Sequence, residues 1–262
     1  MPERGNCMRV VDVNWENVDD FIMVCIPEAK RNHPAFQEGW RIKKDYLRNR
    51  LAKNLPCGKI AYLGDEPVGM IQFLPQEEAI EIQCIFASKY QGQGIGTSLL
   101  KNLITDLQKP LPYLNHKTPK GIFTYAFETG AGYPQHLFYQ KNGFKPVSQE
   151  NPYLLYFPLE KDWVYEPPLE KEYRPLPEDK NQAIIFYQPN CPWSIYFTEM
   201  TEEKIKEVAK NIPIRRINRE EEKEEVAKRG NVPYLLVNGK PIRTFVLDQE
   251  NFLKEVREAW QG

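Results

Sequence analysis

The sequence reads Gln91-Gly92-Gln93-Gly94-Ile95-Gly96-Thr97 between an apolar strand and an amphipathic helix. Glycine lets the backbone turn sharply and lets a ligand approach the amide groups closely. The helix that follows begins with N–H groups that have no intrahelical acceptor, at the positive end of its dipole. A pyrophosphate fits such a place without a basic side chain, so the stretch predicts a pyrophosphate-binding loop.

The stretch has three other interpretations, which the sequence supports to different degrees. A dinucleotide-binding loop needs the spacing G-x-G-x-x-G and an acidic residue about 20 positions on. Here the spacing is G-x-G-x-G, and residues 110–114 supply no acid. A P-loop is excluded because no Gly-Lys-Ser/Thr follows. A glycine-rich turn that binds nothing stays open.

The segments around the loop predict a mixed α/β domain with a mostly antiparallel sheet. Short apolar strands at 59–63 and 68–74 flank the turn Gly64-Asp65-Glu66-Pro67, which indicates a hairpin. A third strand covers 79–86, and an apolar stripe marks the helix after the loop. The predicted order over the domain is β-α-α-β-β-β-α-β-α-β.

The composition is that of a globular protein, with 41% hydrophobic and 27% charged residues. A net charge of −1 argues against nucleic acid and anionic membranes as partners. No apolar run is long enough to cross a bilayer, and the first five residues lack a signal-peptide core, so we expect a cytoplasmic protein. Five cysteines without a CxxC pair and three scattered histidines predict neither a disulfide framework nor a metal site.

The length of 262 residues predicts two domains. The clearest break in composition is the proline-rich, charged stretch 159–182, which is typical of a semi-rigid linker. Its aromatic residues Trp163, Tyr165 and Tyr173 indicate that it packs along a domain surface. The predicted domains are therefore 1–158 and 183–262.

Two motifs in residues 8–158 resemble those of the GNAT N-acetyltransferases. Residues 91–96 match every fixed position of the family's acetyl-coenzyme A loop, Gln/Arg-x-x-Gly-x-Gly/Ala. Downstream, Phe138-Tyr139-Gln140-Lys141-Asn142-Gly143-Phe144 matches a helix that reads Phe/Leu-Tyr-x-x-x-Gly-Phe. The resemblance implies the family's fold, acetyl-coenzyme A as co-substrate without a metal, and a small-molecule or peptide amine as acceptor. It also implies cofactor contacts from the loop through Thr97 and from a preceding strand at Cys84, Ile85 and Phe86.

The same resemblance implies the catalytic residues. Tyr139 would be the general acid that protonates the departing thiolate. Glu81 would be the base that deprotonates the amine, with His136 and Glu128 as alternatives. One position departs from the family, since Gly132 stands where an asparagine is common. Binding of coenzyme A without transfer therefore stays open as an alternative function.

The second domain has the predicted order β-α-β-α-β-β-α, with its last strand at 242–247. This order, with a cysteine at the first strand–helix junction, resembles the thioredoxin fold, glutaredoxins in particular. Cys191-Pro192-Trp193-Ser194 stands at a strand–helix junction, and Val232-Pro233 stands where the family has a cis-proline. The resemblance implies a possible thiol site formed by Cys191, Ser194 and Pro233. Ser194 stands in place of the resolving cysteine, which disfavours a dithiol oxidoreductase. A monothiol activity, thiol binding and a purely structural role stay open. The two-domain order resembles the YoaP-like acetyltransferases, and a homodimer is one oligomeric state that the sequence leaves open.

Overall fold

The computed structural model describes residues 8–87, 90, 92–126, 133–169 and 171–261. The chain forms two compact units. The first comprises the residues up to Pro27 together with Leu47–Pro167, and the second comprises Glu28–Tyr46 and Pro168–Gly262. The sequence placed residues 28–46 in the first domain, whereas the structure groups them with the C-terminal unit.

The first unit is built on a seven-stranded sheet. Its strands are β1 (Met8–Asp12), β2 (Gly58–Leu63), β3 (Glu66–Gln76), β4 (Ala79–Ala87), β5 (Gly121–Tyr125), β6 (Lys145–Pro146) and β7 (Leu154–Pro158). Its helices are α1 (Val18–Val24), the end of α2 (Pro34–Ala52), α3 (Ile95–Asp106) and α4 (Gln135–Lys141). The strand order is β1-β2-β3-β4-β5-β7-β6, and only β4 and β5 pair in parallel. The predicted mixed, mostly antiparallel sheet is confirmed. Strand β6 is one that the sequence did not predict.

Helix α3 packs on this sheet through the apolar stripe that its sequence predicts. The buried members of the stripe are Ile95, Leu99, Leu100, Leu103 and Leu107. Gly69 on β3 permits the close approach, because a Cβ there would lie 2.5 Å from the Ile95 side chain. Burial of such a stripe contributes most of the stability of a helix in a folded protein.

The second unit carries a four-stranded sheet. Its elements are β8 (Ala183–Tyr187), α5 (Pro192–Val208), β9 (Ile214–Asn218), α6 (Lys223–Ala227), β10 (Leu235–Val237), β11 (Lys240–Ile242) and α7 (Gln249–Gln261). The strand order is β11-β10-β8-β9, with β8 and β9 parallel and the other pairs antiparallel. The element order β-α-β-α-β-β-α agrees with the prediction.

The last strand ends earlier than the predicted stretch 242–247. Asn238 and Gly239 both have positive φ, so the turn is tight and pairing resumes at Lys240. Beyond Ile242 the Glu255 carboxylate accepts the backbone N–H groups of Arg243 and Thr244, at 2.9 and 2.8 Å. Although burial acts to raise the pKa of Glu255, these hydrogen bonds lower it below the usual value.

The two ends of the proline-rich stretch 159–182 belong to different units, and each end forms hydrogen bonds within its own unit. In the first unit, the Leu159 and Glu160 N–H groups donate to the Lys120 carbonyl, at 2.9 and 2.8 Å. In the second unit, the Tyr173 hydroxyl donates to the Gly239 carbonyl at 2.9 Å. The prediction that this stretch packs along a domain surface is confirmed for its aromatic side chains.

A buried ion pair holds the end of this stretch in the second unit. The side chains of Asp179 and Arg229 are both fully buried, and Arg229 Nη2 lies 2.6 Å from Asp179 Oδ1. Arg229 Nη1 also donates to the Glu225 carbonyl at 2.6 Å. Buried charges persist only when they are paired and hydrogen-bonded in this way.

Across the described ranges, no helix has both the length and the apolar character that a membrane span requires.

Candidate functional site

The glycine loop opens helix α3 as the sequence predicts. Gly92 and Gly94 have φ of 83° and 78°, in the left-handed region that favours glycine. A Cβ on either residue would meet no atom of the described residues within 4 Å, so that part of the chain leaves the space above the loop open. Gly96 differs, because a Cβ there would lie 3.3 Å from the Phe138 ring of α4.

The first intrahelical bond of α3 runs from the Ser98 N–H to the Gly94 carbonyl, at 2.9 Å. The N–H groups of Ile95, Gly96 and Thr97 precede it and therefore have no intrahelical acceptor. No side chain caps this end of the helix among the residues that the structure describes. Backbone amides and the helix dipole together make such an end suited to an anion.

Among the described residues, strand β4, which leads to this loop, has one edge without a strand partner near the loop. The parallel ladder with β5 covers Ala79–Ile82 and, within the described ranges, ends at the pair Ile82–Thr124. On its other side, β4 stays paired with β3 as far as Ala87, with one extra residue, Gln83, between the pairs Phe73–Ile82 and Gln72–Cys84. Such a bulge bends a strand locally. An extended ligand that carries amide groups could bond to the edge that β5 leaves.

The residues predicted to border the ligand on β4 lie along this segment. Ile85 is buried, Cys84 is half-buried, and Phe86 remains 38% exposed despite its size. They follow the end of the β4–β5 ladder, with only Gln83 between. Gln93 lies in the loop, with its N–H 3.3 Å from the Tyr90 carbonyl. Gln91, also predicted to bind the ligand, lies outside the described residues.

Tyr139 lies on α4 beneath the point where the β4–β5 ladder ends. It is 1% exposed and packs against the rings of Phe138 and Phe144. Burial raises the pKa of Tyr139 well above the usual value, a hydrogen bond with Thr124 opposes this, and Cys84 adds to the rise. The Thr124 hydroxyl also donates to the Ile82 carbonyl at 2.9 Å.

Glu81 and Tyr139 lie on opposite faces of the sheet. Ile80 and Ile82 belong to the core that contains Tyr139, so the intervening Glu81 points to the other face. There the Gln76 side-chain N–H donates to the Glu81 carboxylate at 2.7 Å. The structure therefore does not bring the two predicted catalytic residues into contact.

The alternative bases are placed differently. His136 lies in the first turn of α4, where its ring meets Tyr153 edge to face with centroids 5.2 Å apart. Glu128, the other alternative, and Gly132, the departure from the GNAT pattern, lie outside the described residues. In the part of the chain that the structure covers, no three His, Cys, Asp or Glu side chains form a group that could hold a metal.

The turn that carries Cys191 lies at the start of α5 in the second unit. Cys191 is half-buried and has extended backbone, and the helix begins at Pro192. The Ser194 hydroxyl accepts the Gln188 N–H at 2.9 Å, so this side chain ties the turn back to the end of β8. Ser194 therefore has a structural contact at the position where a resolving thiol would stand.

Residues 30–39 of the same unit pack against this turn. Phe36 is fully buried, stacks on Tyr196 with ring centroids 4.8 Å apart, and meets Trp193 edge to face at 4.9 Å. A Cβ on Gly39 would lie 2.9 Å from the Pro192 Cα, so only glycine allows this helix to approach so closely. These contacts explain why residues 28–46 belong to the second unit.

The predicted cis bond before Pro233 is wrong, because no peptide bond among the described residues is cis. Trans is the more stable form of most X-Pro bonds. Here the Arg219 guanidinium donates to the carbonyls of Val232 and Pro233, at 3.1 and 2.9 Å, and so bonds both sides of the trans linkage.

The sequence patterns did not single out two residues near the end of the β4–β5 ladder. The sequence assigned Thr124 to a strand without a role in the site. Its position shares a face with the buried Ile122, which predicts an inward hydroxyl. Tyr165 was predicted only to pack along a domain surface. In the structure its ring stacks on Phe123 of β5, with centroids 4.0 Å apart. Only the aromatic character of the proline-rich stretch indicated such a contact.

Comparisons with known proteins agree with this geometry over part of the chain. Residues 58–146 match the family model described as an acetyltransferase (GNAT) domain, which confirms the predicted resemblance over those residues. A comparison with curated proteins finds no relative of the chain.

Solved structures similar to the chain include several acetyltransferases. The PaiA N-acetyltransferase of Thermoplasma acidophilum in complex with coenzyme A is 18% identical, with a TM-score of 0.44, over 58% of this chain and 99% of its own. A GNAT family acetyltransferase of Brucella melitensis in complex with acetyl-CoA is 17% identical, with a TM-score of 0.41, over 62% and 97%. An acetyltransferase of Thermus thermophilus is 16% identical, with a TM-score of 0.42, over 59% and 99%.

Proposed function

We propose that the first unit is an N-acetyltransferase that uses acetyl-coenzyme A and transfers the acetyl group to a small-molecule or peptide amine. One juxtaposition among the described residues carries this proposal. The start of α3 has no side-chain cap and has open space over Gly92 and Gly94, and it follows the strand edge that β5 leaves on β4. The first feature suits a pyrophosphate, and the second suits the amide-bearing arm that follows it in coenzyme A. The GNAT family match over 58–146 supports the same class of enzyme.

The residues present fit this co-substrate. A side chain on Gly92 or Gly94 would fill the space that the pyrophosphate needs, and glycine leaves that space open. The N–H groups of residues 95–97 would bind the pyrophosphate, assisted by Gln91 and Gln93. The backbone of Cys84, Ile85 and Phe86 would pair with the pantetheine arm.

The bound co-substrate supplies an acyl group activated as a thioester. Backbone N–H groups of β4 beyond Ile82 are the donors that would stabilise negative charge on the acyl oxygen. Tyr139 would stabilise the departing sulfur as the C–S bond breaks. Because burial keeps the pKa of Tyr139 above that of a thiol, its hydroxyl stays protonated and donates a hydrogen bond at neutral pH. This role is narrower than complete proton transfer, in which Tyr139 would itself become an anion.

The acceptor amine would approach from the opposite face of the sheet. Glu81 lies on that face, one residue before the end of the β4–β5 ladder. Its carboxylate would take the proton that the amine loses, directly or through water. Attack from the face of Glu81 and departure toward the face of Tyr139 would place nucleophile and leaving group on different sides of the acyl carbon. His136 and Glu128 remain the alternative bases.

The test combines calorimetric titration with a turnover assay. Acetyl-coenzyme A should bind the full chain, and absence of binding would reject the proposal. In a panel of amines, Tyr139→Phe should lower turnover about 100-fold while binding is kept, by analogy with the loss of one oxyanion donor. The matched control is Tyr133→Phe, at a tyrosine that is 61% exposed, which should turn over like the wild type. Equal loss in both variants would remove Tyr139 from the mechanism, and binding without turnover of any amine would favour a coenzyme A-binding protein.

For the second unit we propose a thioredoxin-like fold in a YoaP-like arrangement. The strand order β9-β8-β10-β11, with a cysteine at the start of the first helix, supports this assignment. The contacts of Ser194 and of residues 30–39 favour a structural role for the Cys191 turn over monothiol exchange. A cytoplasmic location is part of the same proposal.

A further inference from the structure

One face of the sheet in the first unit carries aromatic side chains that the proposed mechanism does not use. Phe123 is paired with Glu81 across the parallel ladder, so both point away from the core that holds Tyr139. Tyr125, two residues further along β5, shares this face and is 58% exposed. We call Glu81, Phe123, Tyr125 and Tyr165 the aromatic face.

Tyr165 reaches this face from the proline-rich stretch, where neighbouring contacts hold it. Its ring is nearly parallel to that of Phe123, with an interplanar angle of 11°. Trp163 lies over Gly121, where a Cβ would come within 2.0 Å of the indole, so only glycine allows this packing. The placement of Tyr165 is therefore determined by the fold.

Glu81 is the carboxylate of this face and is within electrostatic reach of Tyr165. Burial and the charge of Glu81 both raise the pKa of the Tyr165 hydroxyl. The Gln76 side chain donates to one carboxylate oxygen of Glu81. Carboxylate oxygens accept hydrogen bonds from an ammonium group as they do from an amide, so Glu81 supplies the negative charge of this face.

Aromatic rings and a carboxylate together select a particular kind of amine. A ring face attracts a cation, and it stacks with another flat apolar group. A carboxylate attracts the ammonium group and would accept its proton before attack. An alkyl amine would gain the second interaction but would lose the stacking.

We propose that the aromatic face binds the acceptor and that this acceptor is a primary amine attached by a short chain to an aromatic group. The inference rests on the proposed acetyl transfer and names the substrate class of the same site. Phe123, Tyr125 and Tyr165 contact the aromatic group, and Glu81 binds the ammonium group. In the reaction, the amine nitrogen forms the bond to the acyl carbon as the C–S bond breaks. Glu81 takes the first proton from the ammonium group before attack and passes it to water. The second proton of the nitrogen then passes to Glu81 as the amide forms, and the electron pair of the broken bond leaves with sulfur as a thiolate.

The experiment measures release of coenzyme A from acetyl-coenzyme A by the full chain, with 2-phenylethylamine or n-butylamine as acceptor. The two amines have the same reacting group and differ in the aromatic ring. We expect kcat/KM to be about tenfold higher for 2-phenylethylamine, which is the size of effect that stacking and cation–π contacts give. Tyr165→Leu should remove this preference, because it raises KM for 2-phenylethylamine with little change in kcat. Tyr165→Phe, which keeps the ring, should retain the preference.

The possible results separate this inference from the function on which it rests. Equal use of both amines, or an unchanged preference in Tyr165→Leu at unchanged melting temperature, would overturn the aromatic acceptor and leave acetyl transfer intact. If neither amine releases coenzyme A, the proposed function fails for these acceptors. Titration of 2-phenylethylamine into the complex with coenzyme A then decides the inference. Binding that Tyr165→Leu weakens would support the aromatic face, and absence of binding would overturn it.

Discussion

Replacing Gly94 by alanine tests the glycine loop without a large effect on the fold. The residue has φ of 78°, a conformation that costs an L-residue about 1–2 kcal/mol. Alanine also restricts the unfolded chain, which returns about 0.4–1 kcal/mol. Because the new methyl group meets no atom of the described residues within 4 Å, they add no steric term. We therefore expect the free energy of unfolding to fall by only about 1 kcal/mol.

Coenzyme A binding should be affected much more strongly. The same methyl group would project into the open space above the N–H groups of residues 95–97. A ligand held away from one of these donors loses a hydrogen bond to a charged group, about 1.5–3 kcal/mol. Kd should rise by about tenfold to a hundredfold. Isothermal titration with coenzyme A measures this change directly, beside a urea titration for stability.

Gly239→Ala is the matched control for this variant. Gly239 has φ of 72°, and a Cβ there would come no closer than 3.8 Å to another atom, so the backbone cost is the same. It lies in the second unit, in the turn between β10 and β11, and its substitution should leave Kd unchanged. A folded Gly94→Ala chain that binds coenzyme A within about threefold of the wild type would refute the assignment of the loop.

Three further predictions concern the second unit. Asp179→Asn should lower its stability by about 3 kcal/mol in urea, because the buried Arg229 loses its carboxylate, and a change below about 1 kcal/mol would contradict the ion pair. Phe36→Ala should raise the rate of Cys191 alkylation, followed by peptide mass spectrometry, about tenfold by loosening the turn, whereas equal rates would argue against that packing. The lowered pKa of Glu255 contributes stability above its unfolded value, which is lost as the pH falls through its folded value. Glu255→Gln should therefore weaken the acid dependence of unfolding, and an unchanged profile would exclude this group.

The local patterns predicted most of the secondary structure and part of the candidate site. The apolar stripe beginning at Ile95 belongs to one helix, and the glycines at 92 and 94 belong to one turn. Both features depend on residues that are close in sequence. The hairpin before them likewise needed only a turn between two apolar runs. These features were therefore readable from short windows of sequence.

Contacts between residues far apart in sequence were not readable in this way. Stacking of Tyr165 on Phe123, and of Phe36 on Tyr196, depends on the path of the chain between them and leaves no local period. The extra residue Gln83 in β4 depends on how β3 pairs, which the sequence of β4 alone does not state. Whether Glu81 and Tyr139 lie on the same face of the sheet could be decided only from the ladder between β4 and β5.

Helix α2 has a consequence for the order in which the chain can fold during synthesis. Its residues 34–46 belong to the second unit and its residues 47–52 to the first, yet the whole helix leaves the ribosome long before Trp193 and Tyr196. Until those partners emerge, Phe36 and its neighbours present an apolar helix face with nothing to cover it. A nascent chain would thus carry an exposed binding surface for chaperones through most of translation, and a polypeptide ending at residue 158 would carry it permanently.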